Sequence, residues 1–190
     1  MAETLALRAV ADDLVVPAWL ERFPGSLSAV APASQVLLSG DPGDAAFRAA
    51  AEAALGFALP GPAGRAGEAV HATWQAPDRW LVVAEQEAGL AARVAAACAG
   101  TVTLVSDVTQ GLAVFEVAGP HARALLAQAV TLDLAPGAFA PGQGAATPFA
   151  GLPVTLYPLA AERLRLHGER ASARFLWEWL TTAASAYARA

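Results

Sequence analysis

The sequence contains no lysine, no isoleucine and no asparagine, and its only cysteine is Cys98. A single cysteine excludes an internal disulfide and a metal cluster held by several thiolates. All twelve basic residues are arginine, the formal net charge is −5, and the arginines form no basic stripe. Nucleic-acid binding is therefore excluded as a function class, because contact with a phosphate backbone requires a concentrated positive surface.

Charged side chains are scarce, at 15% of the chain, and hydrophobic ones make up 56%; typical soluble domains carry roughly 25% charged residues. The longest uncharged run, residues 134–161, contains five prolines. It cannot form a transmembrane helix, because each proline removes a backbone donor. The first residues lack the charged and then apolar pattern of a signal peptide. We therefore expect a cytoplasmic protein without membrane contact.

The apolar excess indicates that part of the surface is buried against a partner, because monomers rarely expose large apolar patches. Alanine offers an alternative explanation. It makes up about a quarter of the residues and raises the hydrophobic count without creating adhesive patches.

Strands and helices alternate in two similar blocks along the chain. In residues 34–100 the pattern predicts a buried strand, a helix capped by Asp44 and ending near Leu55, a β-hairpin around the turn QAPD, and an alanine-rich helix closed by Gly100. This block is the first α+β half of the predicted molecule.

Residues 101–190 repeat the order of the first half. The pattern predicts two strands, a helix from about Pro120 to Gln128, three further strands, and a terminal helix from Arg170 to about Arg189. We therefore predict an α+β fold in one compact unit: two similar subdomains of antiparallel strands with helices packed on them.

Two stretches carry aromatic residues that suit a protein interface. In residues 1–33, Trp19 and Phe23 lie between prolines, and we expect an extended arm laid on a partner; alternatively, this segment covers its own domain. In the terminal helix, Phe175 and Trp179 are four residues apart and lie on a different face from the main apolar stripe. Because aromatic residues anchor interfaces, all four are candidates for partner contacts. A helix buried fully in its own chain is the alternative for the last two.

A strand runs through Gly119 and Pro120 into a helix, an arrangement that can hold an anion on free backbone N–H groups. The stretch lacks the G-x-G-x-x-G and G-x-x-x-x-G-K-[ST] spacings of phosphate-binding loops, so an ordinary strand-to-helix turn is favoured. Asp107 ends the preceding strand and could contact a ligand amine or act as a base. The favoured alternative is that Asp107 bonds the backbone of its own turn.

The remaining candidates predict neither a catalytic residue nor a metal site. The histidines, His71, His121 and His167, share no helical spacing and no H-E-x-x-H motif. Cys98 lies among alanines and is typical of a small buried apolar residue. A G-x-S-x-G motif is also absent from the sequence.

Five stretches, taken in order, resemble the gamma subunit of heterotetrameric sarcosine oxidase over about residues 34–180: RWLVVA, SDVTQG, VAGPHARALLAQAVTLDL, FAPGQGAATPFAGLPVTLY and ARFLWEWL. Each stretch is weak alone, but their shared order and spacing are fairly specific. The wider superfamily includes the folate-binding aminomethyltransferase (T-protein), whose fold resembles the α+β arrangement predicted above.

The resemblance implies a small, non-catalytic subunit that binds no cofactor of its own. In such a complex the alpha subunit is expected to carry FAD, NAD and a tetrahydrofolate site, and the beta subunit to help hold a covalent FMN. The complex is expected to demethylate sarcosine or a related N-methyl amino acid oxidatively and to pass the one-carbon unit to tetrahydrofolate. The gamma subunit is expected to pack mainly on alpha, in an assembly that also contains beta and delta.

The chain departs from the family pattern at positions able to bind ligands. DVTQGL stands where the family usually has a DVSHGR-like stretch, and PGQGAAT stands where PGxCAQT is common. Polar residues are lost while the apolar frame remains, which favours a scaffold and leaves Asp107 as a vestigial ligand contact. Two other hypotheses stay open: a free-standing folate-binding aminomethyltransferase-like protein, and a folate-sensing or other regulatory module.

Overall fold

Ten strands form two five-stranded antiparallel sheets in residues 14–188, the part of the chain that the computed structural model describes. The strands are β1 (Ser26–Val30), β2 (Ser34–Gly40), β3 (Arg65–Gly67), β4 (Val70–Ala76), β5 (Arg79–Ala84), β6 (Thr103–Asp107), β7 (Leu112–Ala118), β8 (Ala145–Phe149), β9 (Leu152–Ala160) and β10 (Arg163–Glu169). The first sheet has the order β3-β4-β5-β2-β6 and the second the order β1-β7-β10-β9-β8.

Helices cover the outer face of each sheet, so that each sheet has its own hydrophobic core. On the first sheet lie α1 (Ala45–Leu55) and α2 (Leu90–Ala97), and on the second α3 (Ala122–Leu126) and α4 (Ala173–Ser185). Short 3-10 turns occupy Ala18–Arg22 and Arg170–Ser172. None of the described helices is long and apolar enough to cross a membrane.

The alternation of side chains along the strands explains why each helix-covered core lies on one face of its sheet. Side chains alternate across a strand, and one set of positions enters the helix-covered cores, such as Val36 and Leu38 of β2 or Leu164 and Leu166 of β10. The other set faces the opposite sheet. The predicted α+β fold of antiparallel strands with packed helices is confirmed, in four layers: helices, sheet, sheet, helices.

Local signals placed α1 correctly. The Asp44 carboxylate accepts the backbone N–H of Ala46 at 2.8 Å and of Phe47 at 3.4 Å, as expected of a helix cap. Gly56 follows the last turn with φ 84°, the left-handed conformation that ends many helices. The helix therefore begins and ends where short-range chemistry dictates.

The positions of β1 and β6 differ from the prediction. Residues 26–30, expected within an extended arm, form β1 and pair with β7, Leu27 opposite Val117. β6, assigned to the second half, pairs instead with β2 of the first sheet, and the chain crosses between sheets at residues 108–111. β7 lies between β1 and β10 and is buried along most of its length. β6 lies at the edge of the first sheet and has exposed residues, such as Leu104. The first thirteen residues of the expected arm lie outside the described chain.

The turn at Gly119 is shaped by packing within the chain. Gly119 has φ 112°, and a Cβ placed there would lie 2.6 Å from Gly25 Cα and 2.7 Å from the Pro24 carbonyl oxygen. The N-terminal segment thus occupies the space beside the turn. This agrees with the favoured interpretation of an ordinary strand-to-helix turn.

Gly119→Ala is expected to lower the free energy of unfolding by about 2 kcal/mol or more, because the backbone would have to leave an unusual conformation and the N-terminal segment would have to move. Urea denaturation measures the change. Gly137→Ala is the matched control, since a Cβ there meets nothing within 4 Å. Equal losses in the two variants would contradict the packing explanation.

Candidate functional site

Polar side chains occupy much of the space between the two sheets, together with the buried Leu81, Val83 and Val114. They occupy the strand positions that alternate with the core residues. We call this set the polar layer: Gln35, His71, Thr73, Gln75 and Glu85 from the first sheet and its ends, and Glu116, Thr155, Tyr157, Arg165 and His167 from the second. Eight of the ten are buried, so their hydrogen bonds must be made inside the protein; Thr73 Oγ1 is buried without a partner.

Tyr157 is the centre of a chain of hydrogen bonds that crosses between the sheets twice. Its hydroxyl lies 3.0 Å from His71 Nε2 and 2.7 Å from His167 Nε2. The chain continues from His71 Nδ1 to the Glu68 carbonyl oxygen at 3.1 Å and from His167 Nδ1 to Gln35 Oε1 at 2.7 Å. The sheets are thus joined by two contacts, Tyr157 with His71 and His167 with Gln35, which are 86 and 132 residues apart in sequence.

Both ends of this chain are hydrogen-bond acceptors. Glu68 contributes a carbonyl oxygen, and Gln35 must contribute its own oxygen because its amide nitrogen donates to the carbonyl oxygens of Thr109 and Leu112. Four hydrogen bonds between these ends need four protons, but two neutral imidazoles and one hydroxyl carry only three. One of the four contacts therefore lacks a proton whenever both histidines are neutral.

Burial keeps all three ring side chains neutral. Burial first, and then the charge of Arg65, lower the pKa of His71 to about 3. Burial is also the main reason that the pKa of His167 lies well below its ordinary value, and it raises the pKa of Tyr157 to about 12. A general acid or base is most effective with a pKa near the working pH, so these groups suit a fixed structural role better than proton transfer.

A buried cluster of ion pairs continues the polar layer. Arg165, 5% exposed, donates from Nη2 to Glu116 Oε2 at 3.0 Å and pairs with Glu85 of the opposite sheet. The other carboxylate oxygen of Glu116 lies 2.6 Å from Arg163 Nε. Because loss of one partner leaves a buried charge uncompensated, this cluster resists separation of the sheets.

The polar layer opens at one end into a cleft of about 290 Å³, lined by residues that include Leu37, Gln75, Arg79, Thr155, His167 and Glu169. Both ring nitrogens of His167 are already bonded to Tyr157 and Gln35, which leaves them unable to contact a ligand without a rearrangement. Among residues 14–188, no group of three or more histidine, cysteine, aspartate or glutamate side chains is placed to hold a metal ion.

The four aromatic candidates for partner contacts differ in exposure. Phe23 is 4% exposed and lies in the core of the second sheet, and Trp19 packs partly buried against that core. Trp179 meets Phe149 edge to face with ring centres 4.8 Å apart, whereas Phe175 is 47% exposed. Phe175 therefore offers a partner the largest exposed fraction of the four, and Phe23 offers almost none in this conformation.

Asp107 is exposed at the end of β6 and supports its own turn. Its Oδ1 accepts the N–H of Thr109 at 2.9 Å, which is the local bond that the favoured alternative describes. The Asp107 side chain makes no hydrogen bond to the polar layer within the described chain, although Thr109 Oγ1 accepts the backbone N–H of Gln35. A ligand contact of Asp107 stays a prediction.

The helical spacing of the histidines does not reveal the polar layer. His71 and His167 lie in strands of different sheets and meet through Tyr157. A signal was present in the strands VHATWQA and RLRLHGE, where polar residues recur at every second position. Such alternation between two buried faces indicates a polar surface facing another layer.

Comparison with known proteins gives a consistent family. Residues 39–186 match the model of the family described as "Sarcosine oxidase, gamma subunit family". A sarcosine oxidase subunit gamma of Arthrobacter sp. is 37% identical over 69% of this chain and 66% of that protein. The subunit gamma of Corynebacterium sp. (strain P-1) is 32% identical over 85% of this chain and 81% of that protein.

Solved structures extend the comparison to the fold. A chain of the heterotetrameric sarcosine oxidase from Corynebacterium sp. U-96, in complex with pyrrole 2-carboxylate, superposes with a TM-score of 0.83 and 28% identity, over 87% of this chain and 86% of that one. The glycine cleavage system aminomethyltransferase T from Bartonella henselae has a TM-score of 0.60 and 19% identity, over 85% of this chain and 48% of that one. The second likeness shows a shared fold only.

Lowering the pH from 7 to 5 is expected to lower the free energy of unfolding. The unfolded chain binds protons on His71 and His167 near pH 6.5, whereas the folded chain resists them until the pH is much lower. Stability from these groups is therefore complete above the ordinary histidine pKa and is lost as the pH falls, by up to about 1.4 kcal/mol per pH unit for each. Urea denaturation at several pH values measures the slope.

His71→Gln tests the source of this slope and is expected to reduce it by roughly half, because two histidines contribute. His121→Gln removes a histidine outside the polar layer and is the matched control. If both substitutions change the slope equally, the pH dependence does not arise from the polar layer.

Glu116→Gln is expected to lower the free energy of unfolding by about 3 kcal/mol, because Arg165 would lose a buried counter-charge. Glu178→Gln breaks the exposed pair with Arg174 and is expected to cost about 0.5 kcal/mol or less. Denaturation midpoints of the two variants compare the pairs directly. A small effect in both would show that the buried Glu116–Arg165 pair adds no more to stability than the exposed pair.

Proposed function

This chain belongs to the sarcosine oxidase gamma subunit family, and we propose that it is a non-catalytic gamma-type subunit of a heterotetrameric flavoenzyme complex of the sarcosine oxidase type. The observation that carries the proposal is the extent of the match. It runs through both sheets and covers 86% of one chain in a solved heterotetramer. The chain thus matches most of one subunit of that heterotetramer.

The proposed complex oxidatively demethylates sarcosine or a related N-methyl amino acid and passes the one-carbon unit to tetrahydrofolate. Following the family resemblance, its FAD, FMN, NAD and tetrahydrofolate are assigned to the other subunits. The gamma-type chain then contributes a rigid surface, packed mainly on the large alpha subunit, that stabilises the assembly.

The polar layer supports a structural role within that complex. Its central tyrosine and histidines bond one another, and burial holds them in their neutral forms. Arg165 and Glu116 are paired between strands of the same sheet, and Arg165 reaches across to Glu85. Groups occupied in this way hold the two sheets in a fixed relation, which suits a subunit that presents a preformed surface.

A free-standing folate-binding protein is the second candidate, and the cleft at the end of the polar layer is the observation that favours it. The cleft has polar side chains on its walls, including Gln75, Arg79 and Thr155. The likeness of the chain to an aminomethyltransferase is a likeness of fold, and fold alone does not assign an activity. The gamma-type subunit is therefore the preferred function.

Two exposed apolar surfaces are available for the alpha subunit. The first surface contains Phe175 of α4, the helix that packs on the second sheet. The second lies at the edge strand β6 of the first sheet and contains Val102, 88% exposed, and Leu104, 63% exposed. We place the alpha subunit on the α4 side, because aromatic side chains are the commonest interface anchors and Trp179 lies in the same helix. Trp19 flanks this side through the contact of its 3-10 turn with α4.

Assembly tests the proposal. When the chain is co-expressed with the alpha, beta and delta subunits of its own complex, all four are expected to co-purify, and Phe175→Asp is expected to weaken retention by about tenfold or more. Quantitative size-exclusion chromatography at several concentrations measures the loss.

Val102→Asp is the control on the other apolar surface and is expected to leave retention unchanged. Loss with Val102→Asp alone would move the interface to the β6 edge and contradict the α4 assignment. A stable monomer that never associates with the flavoprotein subunits, and that binds tetrahydrofolate tightly, would replace the proposed function with the second candidate.

A further inference from the structure

Arg65 is held in one place at the edge of the polar layer. It is the first residue of β3, pairs with Thr73 of β4, and donates its backbone N–H to the Gly142 carbonyl oxygen at 2.8 Å. Its guanidinium carbon lies 4.8 Å from the centre of the Tyr157 ring, within the range of a cation–π contact. The half-buried side chain is thus fixed by both sheets, since β3 belongs to the first and Tyr157 to the second.

The Arg65 guanidinium has no counter-ion in residues 14–188. Its Nε is buried without a hydrogen-bond partner, and no carboxylate lies within 4 Å of it. The other described arginines that are not fully exposed all donate to an oxygen of the chain: Arg93, Arg123, Arg165 and Arg170. An ionised group that is partly withdrawn from water without a partner is costly, so Arg65 stands apart from the rest.

The carboxylates of the polar layer are already bonded to other arginines. Both oxygens of Glu116 are bonded to Arg163 and Arg165, and Glu85 is bonded to Arg165. Burial first, together with the nearby charge of Arg165, lowers the pKa of Arg65, and the charge of Glu85 offsets this in part. Arg65 therefore has no carboxylate of its own among residues 14–188.

We propose that Arg65 is the binding site for one carboxylate group supplied from outside this chain. A guanidinium presents a planar fork that matches a carboxylate with two parallel N–H···O bonds. The ring of Tyr157 supports one face of the fork, and the backbone contacts of β3 hold it in position, so little conformational freedom remains to be lost on binding. A single carboxylate would also supply the counter-ion that Arg65 lacks among residues 14–188.

A carboxylate can come from a free organic acid or from an acidic side chain of a neighbouring subunit. The chemistry at Arg65 is the same in both cases, and the inference does not depend on the proposed function. Two experimental arms separate the sources: the first uses the isolated full-length chain and the second the assembled complex.

In the first arm, the chain is labelled with ¹⁵N-arginine and titrated with sodium acetate, with sodium chloride at equal ionic strength as the reference. The Arg65 Nε resonance is assigned by its loss in Arg65→Gln. A saturable shift of this resonance with acetate, while the Arg48 resonance moves only as it does in chloride, demonstrates the site for a free carboxylate. The titration itself uses the unsubstituted chain, and if Arg65→Gln folds poorly, loss of the same resonance in Arg65→Lys gives the assignment.

In the second arm, Arg65→Gln and Arg65→Lys are compared with Arg48→Gln in the co-expressed complex. If a partner carboxylate occupies the site, Arg65→Gln lowers retention about tenfold, Arg65→Lys recovers part of it, and Arg48→Gln retains the parental value. If the parent chain itself fails to assemble, the proposed function fails, and the acetate titration alone decides the inference. Without a saturable acetate shift, and with parental retention in both Arg65 variants, the carboxylate site is overturned.

Discussion

The two sheets are joined by buried polar groups that bond one another across the space between them, and much of the structure depends on these contacts. Tyr157 bridges His71 and His167, and Arg165 bridges Glu85 and Glu116. Buried polar groups are costly when unpaired and specific in direction when paired. A shift of either sheet by one strand position would replace these side chains with Leu or Val and leave several buried charges alone.

The same requirement explains the separation of the hydrophobic cores. Most buried apolar residues lie on the outer faces of the sheets, under helices, because many positions of the inner faces belong to the polar layer. The chain therefore stabilises each sheet with its own helices and joins the sheets by hydrogen bonds and ion pairs. Burial suppresses the charged forms of His71 and His167. Their neutral side chains form hydrogen bonds that join the two sheets.

A rigid double sheet of this kind suits a subunit whose contribution is its shape. The paired groups lie inside, whereas Phe175 and the β6 edge present apolar surface outward. Arg65, at the edge of the polar layer, lies against the Tyr157 ring and has no counter-ion among residues 14–188.

Local chemistry was sufficient for much of the fold and for little of the site. Asp44 and Gly56 delimit α1 through bonds within a few residues, and the apolar periodicity of α4 marks its buried face. The edge or central position of β6 and β7, the pairing of β1, and the meeting of His71 with His167 depend instead on contacts between residues far apart in the chain. The sequence determines which positions alternate between polar and apolar. Only the tertiary structure decides which polar groups meet. Hydrogen bonds and ion pairs act over a few ångströms, and their partners can be any number of residues apart in the sequence.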